Sequence, residues 1–216
     1  MQKFLSGFKG QPLNKKQIAA GMHFCYINAK SLADEARLLK ENGHLSRALS
    51  LTILALEELG KIPLICNMIL YEENDTEAWR KSWKELQSHK LKLGVWTTYG
   101  KRLLHALGKG YTTELPSGIE PLADKFKQLG FYVSFFENQF LLPENFSKDN
   151  QEWLEFFLSV LSERLTSFGR FHSSLEDSEN FIDDTIQFLT NMKKAKTRDQ
   201  LKEIISDLIS QKVRIN

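Results

Sequence analysis

Apolar side chains recur at spacings of three and four from Ile18 through Met22, Cys25, Ala29, Leu32, Ala36 and Leu39, which predicts one face of a long amphipathic helix. Asn14 suits its N-cap and Gly43 the left-handed position beyond its end, so the helix is expected over about residues 14–42. A short link then leads to a second helix, about 45–71, with Pro63 as a kink site. This segment is apolar around most of its circumference, as befits a central helix packed on several sides. A third helix, about 76–108, is capped by Asp75 or Thr76, carries Trp79, Trp83, Leu86, Leu93, Trp96, Leu104 and Leu107 on one face, and stops at Gly108-Lys109-Gly110. After Pro116, Gly118 and Pro121 a short helix ends near Gly130, and the aromatic stretch at 131–142 reads as a small hairpin or an extended insertion. A fourth core helix, about 150–175, is amphipathic through Trp153, Phe157, Val160, Leu161, Arg164 and Phe168, and C-terminal helices follow at about 178–195 and 197–211. The expected fold is all-α, with an N-terminal arm at 1–13 and a single helical domain over 14–216.

Charge interrupts this pattern at two places. The second helix contains Glu57, Glu58 and Lys61 within an apolar run, and at 100° per residue Ser46, Arg47, Ser50, Glu57 and Lys61 share one narrow polar strip. Glu58 falls at the strip's edge beside Leu51, Leu54, Ile62 and Ile65, which predicts that it is the buried acid. A carboxylate among apolar groups must find a cation or hydrogen-bond donors, or take up a proton. On the third helix His89 and Lys90 fall within the arc of Trp79, Trp83, Leu93 and Trp96, so both are expected to face the core and to meet the acids, with Glu58–Lys90 as the expected ion pair. Two readings stay open. One is a structural network holding the helices together. The other is a working site in which His89, Glu58 and Glu57 handle protons while Lys61, Lys90 and Lys92 bind a phosphate or a partner. The remaining histidines, His23, His44 and His105, carry less weight, and Arg164, Arg170 and His172 read as a solvated face.

Composition narrows the partners little. The net charge of the 216 residues is +2 with a pI near 8.4, which neither demands nor excludes nucleic acid. Cys25 and Cys66 sit among apolar residues and read as reduced core thiols, consistent with the cytoplasm. No apolar stretch has the length and purity of a membrane span, since Glu57, Glu58, Lys61 and Pro63 break the best one. Phosphate-binding loop, nucleophile-elbow and dinucleotide fingerprints are missing from the sequence, and the histidines and cysteines lack metal-ligand spacing; neither metal nor cofactor is expected.

Four segments in order, Asn28-Ala29-Lys30-Ser31-Leu32 with Ala36-Arg37-Leu38-Leu39, Arg47-Ala48-Leu49 through Leu56-Glu57-Glu58-Leu59-Gly60-Lys61, Ser88-His89-Lys90-Leu91-Lys92, and Gly130-Phe131-Tyr132-Val133 with Pro143, resemble the AbiV-type abortive infection proteins of the all-helical HEPN superfamily. The resemblance covers about residues 18–145. It implies a HEPN-like bundle and a cytoplasmic bacterial phage-defence protein that halts phage production by shutting down translation. It also implies a homodimer, with RNA or a ribosome-associated component as target, a phage protein as activator, and no membrane. Many HEPN toxins are metal-independent endoribonucleases with an R-x4–6-H motif. The formal match here, Arg37 to His44 with six residues between, straddles a helix end and a turn. The binding reading is therefore placed ahead of the ribonuclease reading, in which His89 with Glu57 and Glu58 would cleave RNA.

Overall fold

The computed structural model describes residues 10–94, 118–136, 138–146, 151–194 and 200. Helix α1 (Lys15–Glu41) opens with a capping box: Asn14 accepts from the Gln17 amide at 3.0 Å while the Gln17 side chain accepts from the Asn14 amide at 2.9 Å. Its buried face is built on Ala19, Ala29, Ala33 and Ala36, with Met22 and Tyr26 between them. Small residues let α2 (Leu45–Asn67) lie close alongside after a turn in which Gly43 takes φ 81°. Pro63 sits inside α2 without ending it. A 3-10 turn (Met68–Leu70) closes this antiparallel pair.

The third predicted helix is divided. Helix α3 (Thr76–Glu85) is capped by Asp75, which accepts from the Ala78 amide at 3.0 Å, and it buries Trp79. The chain then turns through Leu86–Ser88 and restarts as α4 (His89–Gly94), with the Ser88 hydroxyl accepting from the Leu91 amide at 3.3 Å. Ser88 is thus the N-cap that breaks the expected continuous helix. Trp96, Leu104, His105 and Leu107 lie outside the described residues.

Helix α5 (Glu120–Leu129) leads into a two-stranded antiparallel hairpin, β1 (Ser134–Phe136) with β2 (Gln139–Leu141), in which Phe135 pairs with Phe140. Asn138 adopts φ 64° at the turn. A 3-10 turn (Pro143–Phe146), α6 (Gln151–His172) and α7 (Leu175–Lys194) complete the described fold. Helix α2 is central: α1, α4, α5 and α6 all pack on it. Leu49, Ile53, Leu56 and Leu59 meet Phe126, Leu154, Phe157 and Leu161 in one core. The architecture is an all-α bundle with a small hairpin at the expected place. Among the described residues no helix is long and apolar enough to cross a membrane. The arm and the expected last helix fall mostly outside the described residues, and Arg164 and His172, expected on a solvated face, are 1% and 2% exposed.

Candidate functional site

Three helices converge on one carboxylate, and it belongs to Glu57 rather than Glu58. Helix α2 carries Glu57, α4 carries His89 and Lys92, and α5 carries Asp124 and Lys127. Glu57 is 2% exposed. Its Oε1 accepts from Lys127 Nζ at 2.7 Å and its Oε2 from His89 Nδ1 at 2.5 Å, with Lys92 Nζ 3.3 Å from Oε2. Lys127 also bridges to Asp124 Oδ1 at 2.9 Å. The buried carboxylate of Glu57 and the partly exposed one of Asp124 thus meet two buried lysines, which makes removal of Glu57 costly. Burial works against the charge of Lys127, but its hydrogen bonds to Glu57 and Asp124 prevail and hold its pKa above the ordinary lysine value.

Two glycines let the helices approach. A Cβ on Gly60, three residues beyond Glu57, would stand 2.1 Å from the Lys92 carbonyl oxygen, so the backbone of α4 crosses α2 at that point. A Cβ on Gly130 would stand 2.3 Å from the Ser46 carbonyl oxygen and 2.0 Å from Ser50 Oγ. The Ser50 hydroxyl, wholly buried, lies 3.0 Å from the Lys127 carbonyl oxygen and ties α5 to α2. The polar strip of α2 is therefore an interface: Ser46, Ser50, Glu57 and Gly60 are where neighbouring backbones press in, and its polarity serves their hydrogen bonds.

His89 is the open member of this network, with 54% of its side chain exposed. At 2.5 Å from a carboxylate oxygen, Nδ1 carries a proton and donates, so in the neutral ring Nε2 is the acceptor. The Lys127 ammonium, 3.1 Å from the same Nδ1, is then a close neighbour rather than a second donor to it. Glu57, His89 and Asp124 present donor atoms within 4.8 Å of one another, a set able to ligate a metal ion. Lys127 Nζ contacts all three, so an ammonium already holds the point between them, and an ion there would have to displace it.

Of the residues expected at the site, Glu57, His89 and Lys92 come together. Glu58 does not: it is half-buried on the adjoining face and bonded to Lys61 at 2.6 Å. Lys90 is exposed and forms no pair with Glu58. The wheel failed because a continuous third helix was assumed; after the Ser88 break, α4 turns Lys92 and Leu93 inward and His89 and Lys90 outward. Lys92, expected to meet a phosphate, is buried against Glu57 instead. Asp124 and Lys127 were missed, although Lys127 lies one residue from Phe126 on a short amphipathic helix and shares its buried face. Cys25 and Cys66 are free thiols; burial foremost pushes Cys25 up to about 12, with Glu58 adding to it, and burial pushes Cys66 up to about 11, so both are protonated and unreactive at neutral pH. Arg37, the arginine of the formal R-x4–6-H match, is exposed and bonded to Asp34 at 2.7 Å, and His44 is exposed at the α1–α2 turn.

The site is thus set in an all-α bundle whose central helix carries Glu57-Glu58-Leu59-Gly60-Lys61, with His89 and Lys92 closing over Glu57. Residues 17–160 match the family described as AbiV, and the chain belongs to that AbiV family of HEPN proteins. The family suggests abortive infection, a form of phage defence. No curated protein and no solved structure shows a significant match to the chain.

Proposed function

We propose that this protein arrests phage production by shutting down translation, and that it does so by binding an RNA, a translation component or a phage protein, with the Glu57–His89–Lys92–Lys127 network as its working site. It acts as a homodimer in the cytoplasm. The observation that carries the binding reading is the internal pairing of the cations: Lys92 and Lys127 are buried on Glu57 and Asp124, and Lys61 is bonded to Glu58. Lysines neutralised within the fold are poorly placed to stabilise the extra charge of a phosphorane, which leaves exposed His89 and Lys90 as a recognition surface on a rigid base.

A specific observation favours a second reading, metal-independent cleavage of RNA. The 2.5 Å contact between His89 Nδ1 and buried Glu57 fixes the ring and leaves Nε2 as a proton acceptor, the arrangement a general base requires. In that chemistry Nε2 takes the proton of a ribose 2′-hydroxyl as its oxygen attacks the adjacent phosphate, the P–O5′ bond breaks to leave a 2′,3′-cyclic phosphate, and water protonates the departing 5′-oxygen. The two readings separate when purified protein is incubated with total RNA, with and without phage lysate. Intact RNA that co-purifies with the protein, or a retained ribosomal or phage protein, supports binding. Cut tRNA or rRNA that disappears with His89→Gln replaces it with the enzyme.

A further inference from the structure

The hairpin presents an uncovered apolar face. Ser134 pairs with Leu141, Phe135 with Phe140 and Phe136 with Gln139. Side chains directly opposite in a ladder share a face, as do residues two apart along a strand. Val133, Phe135, Phe140 and Leu142 therefore lie together on one side, and they are 58%, 63%, 77% and 54% exposed. The Phe135 and Phe140 rings meet edge-on at 5.1 Å, so the face is continuous. Ser134 and Leu141, on the opposite side, are half-buried. The segments flanking the hairpin both meet the start of α2: Ser46 Oγ donates to the Pro143 carbonyl at 2.5 Å, and Gly130 packs against Ser50 Oγ and the Ser46 carbonyl. A rigid mount of this kind lowers the ordering cost of association.

We infer that this face, Val133, Phe135, Phe140 and Leu142, is where a second copy of the chain docks, the two hairpins packing face to face across a two-fold axis. This rests on the homodimer reading above and says which surface makes the dimer. Charge argues against nucleic acid, because the sequence has no Lys or Arg between Lys127 and Lys148, and phosphate backbones are held by cations. Charge also suits a two-fold contact, since an axis brings like residues together and these four carry none. The exposed area of the four side chains is roughly 500 Å², within the range of about 300–600 Å² for the largest apolar patch on a monomer. Two such faces bury roughly 1,000 Å², the threshold of a specific interface. A lone two-stranded hairpin is marginal in water, and a second sheet packed on its apolar face supplies what it lacks.

Light scattering of the full chain at micromolar concentration should give twice the chain mass, and Phe140→Ser and Leu142→Lys should each return it to the single mass with helical circular dichroism and melting temperature unchanged. A dimer that persists in both folded variants overturns this interface and leaves the homodimer standing on another surface. A wild-type monomer overturns both. Hydrogen exchange on the unaltered protein guards against variants that fail to fold: amides of residues 134–141 should be better protected in concentrated than in dilute solution, and equal protection contradicts the inference.

Discussion

Glu57 and Glu58 are neighbours in sequence and opposites in environment. Glu57 is closed in by Lys127, His89 and Lys92, whereas Glu58 keeps a single partner, Lys61, at a half-open surface. Glu57→Ala takes the carboxylate from buried Lys92 and leaves buried Lys127 with Asp124 alone, and should cost about 3–5 kcal/mol, while Glu58→Ala should cost under about 1 kcal/mol. Urea melts of the two variants give the order directly, and equal midpoints would mean that α2 is rotated. The sequence made an acid–histidine–lysine cluster legible but chose the wrong acid, because a wheel shows which residues share a strip and not which strip meets another backbone. The telling signal was the smallness of the residues in line with Glu57: Ser46, Ser50 and Gly60.

His172, at the far end of α6, offers a pH test. It is buried, its Nδ1 is 3.0 Å from Ser178 Oγ, and its backbone carbonyl accepts from His23 Nδ1 at 2.9 Å. Burial first and the neighbouring His23 second push its pKa down to about 4, while Asp177 opposes them weakly. Because the unfolded chain binds this proton more readily than the folded one, the neutral ring's contribution is complete above the ordinary value near 6.5 and is lost as pH falls toward 4. The loss amounts to about 3 kcal/mol. Melting temperature should fall over that window in the wild type, and less steeply in His172→Gln; parallel curves would show that His172 is not the group responsible.

At the scale of elements, the position of α4 decides the site. Helix α4 is six residues long, too short to hold itself in water, and it is fixed by Ser88 at its start and by the crossing over Gly60. Gly60→Ala drives a methyl group into the Lys92 carbonyl, a backbone atom with no rotamer to retreat into. A loss of about 1–3 kcal/mol is expected, together with a changed NMR signal of the His89 ring. An unchanged stability would mean that α4 does not approach α2 so closely. The long helices and the central role of α2 were readable from periodicity because burial there is carried by apolar stripes, and the hairpin from the aromatic composition of residues 131–142. The break at Ser88 was not, since one N-cap serine inside an otherwise helical pattern competes with the apolar spacing on both sides of it.

For the whole molecule, the bundle delivers an imidazole to the surface on a buried, charge-balanced support, and membership of the AbiV family gives that support its context in phage defence. The sequence segments that carry the resemblance and the observed packing overlap at Glu57, Gly60, His89, Lys92 and Gly130, and the structure gives each of them a physical task. His89 alone among these has most of its side chain in solvent, and Lys92 and Lys127 also hold Glu57, so a change at His89 separates function from stability best. The measurement that bears most directly on the account is phage protection by His89→Gln, a side chain of similar reach that keeps hydrogen bonding and cannot act as an acid or base. Protection should be lost while melting temperature stays near that of the wild type. A folded His89→Gln protein that still protects fully would contradict the assignment of this network as the working site.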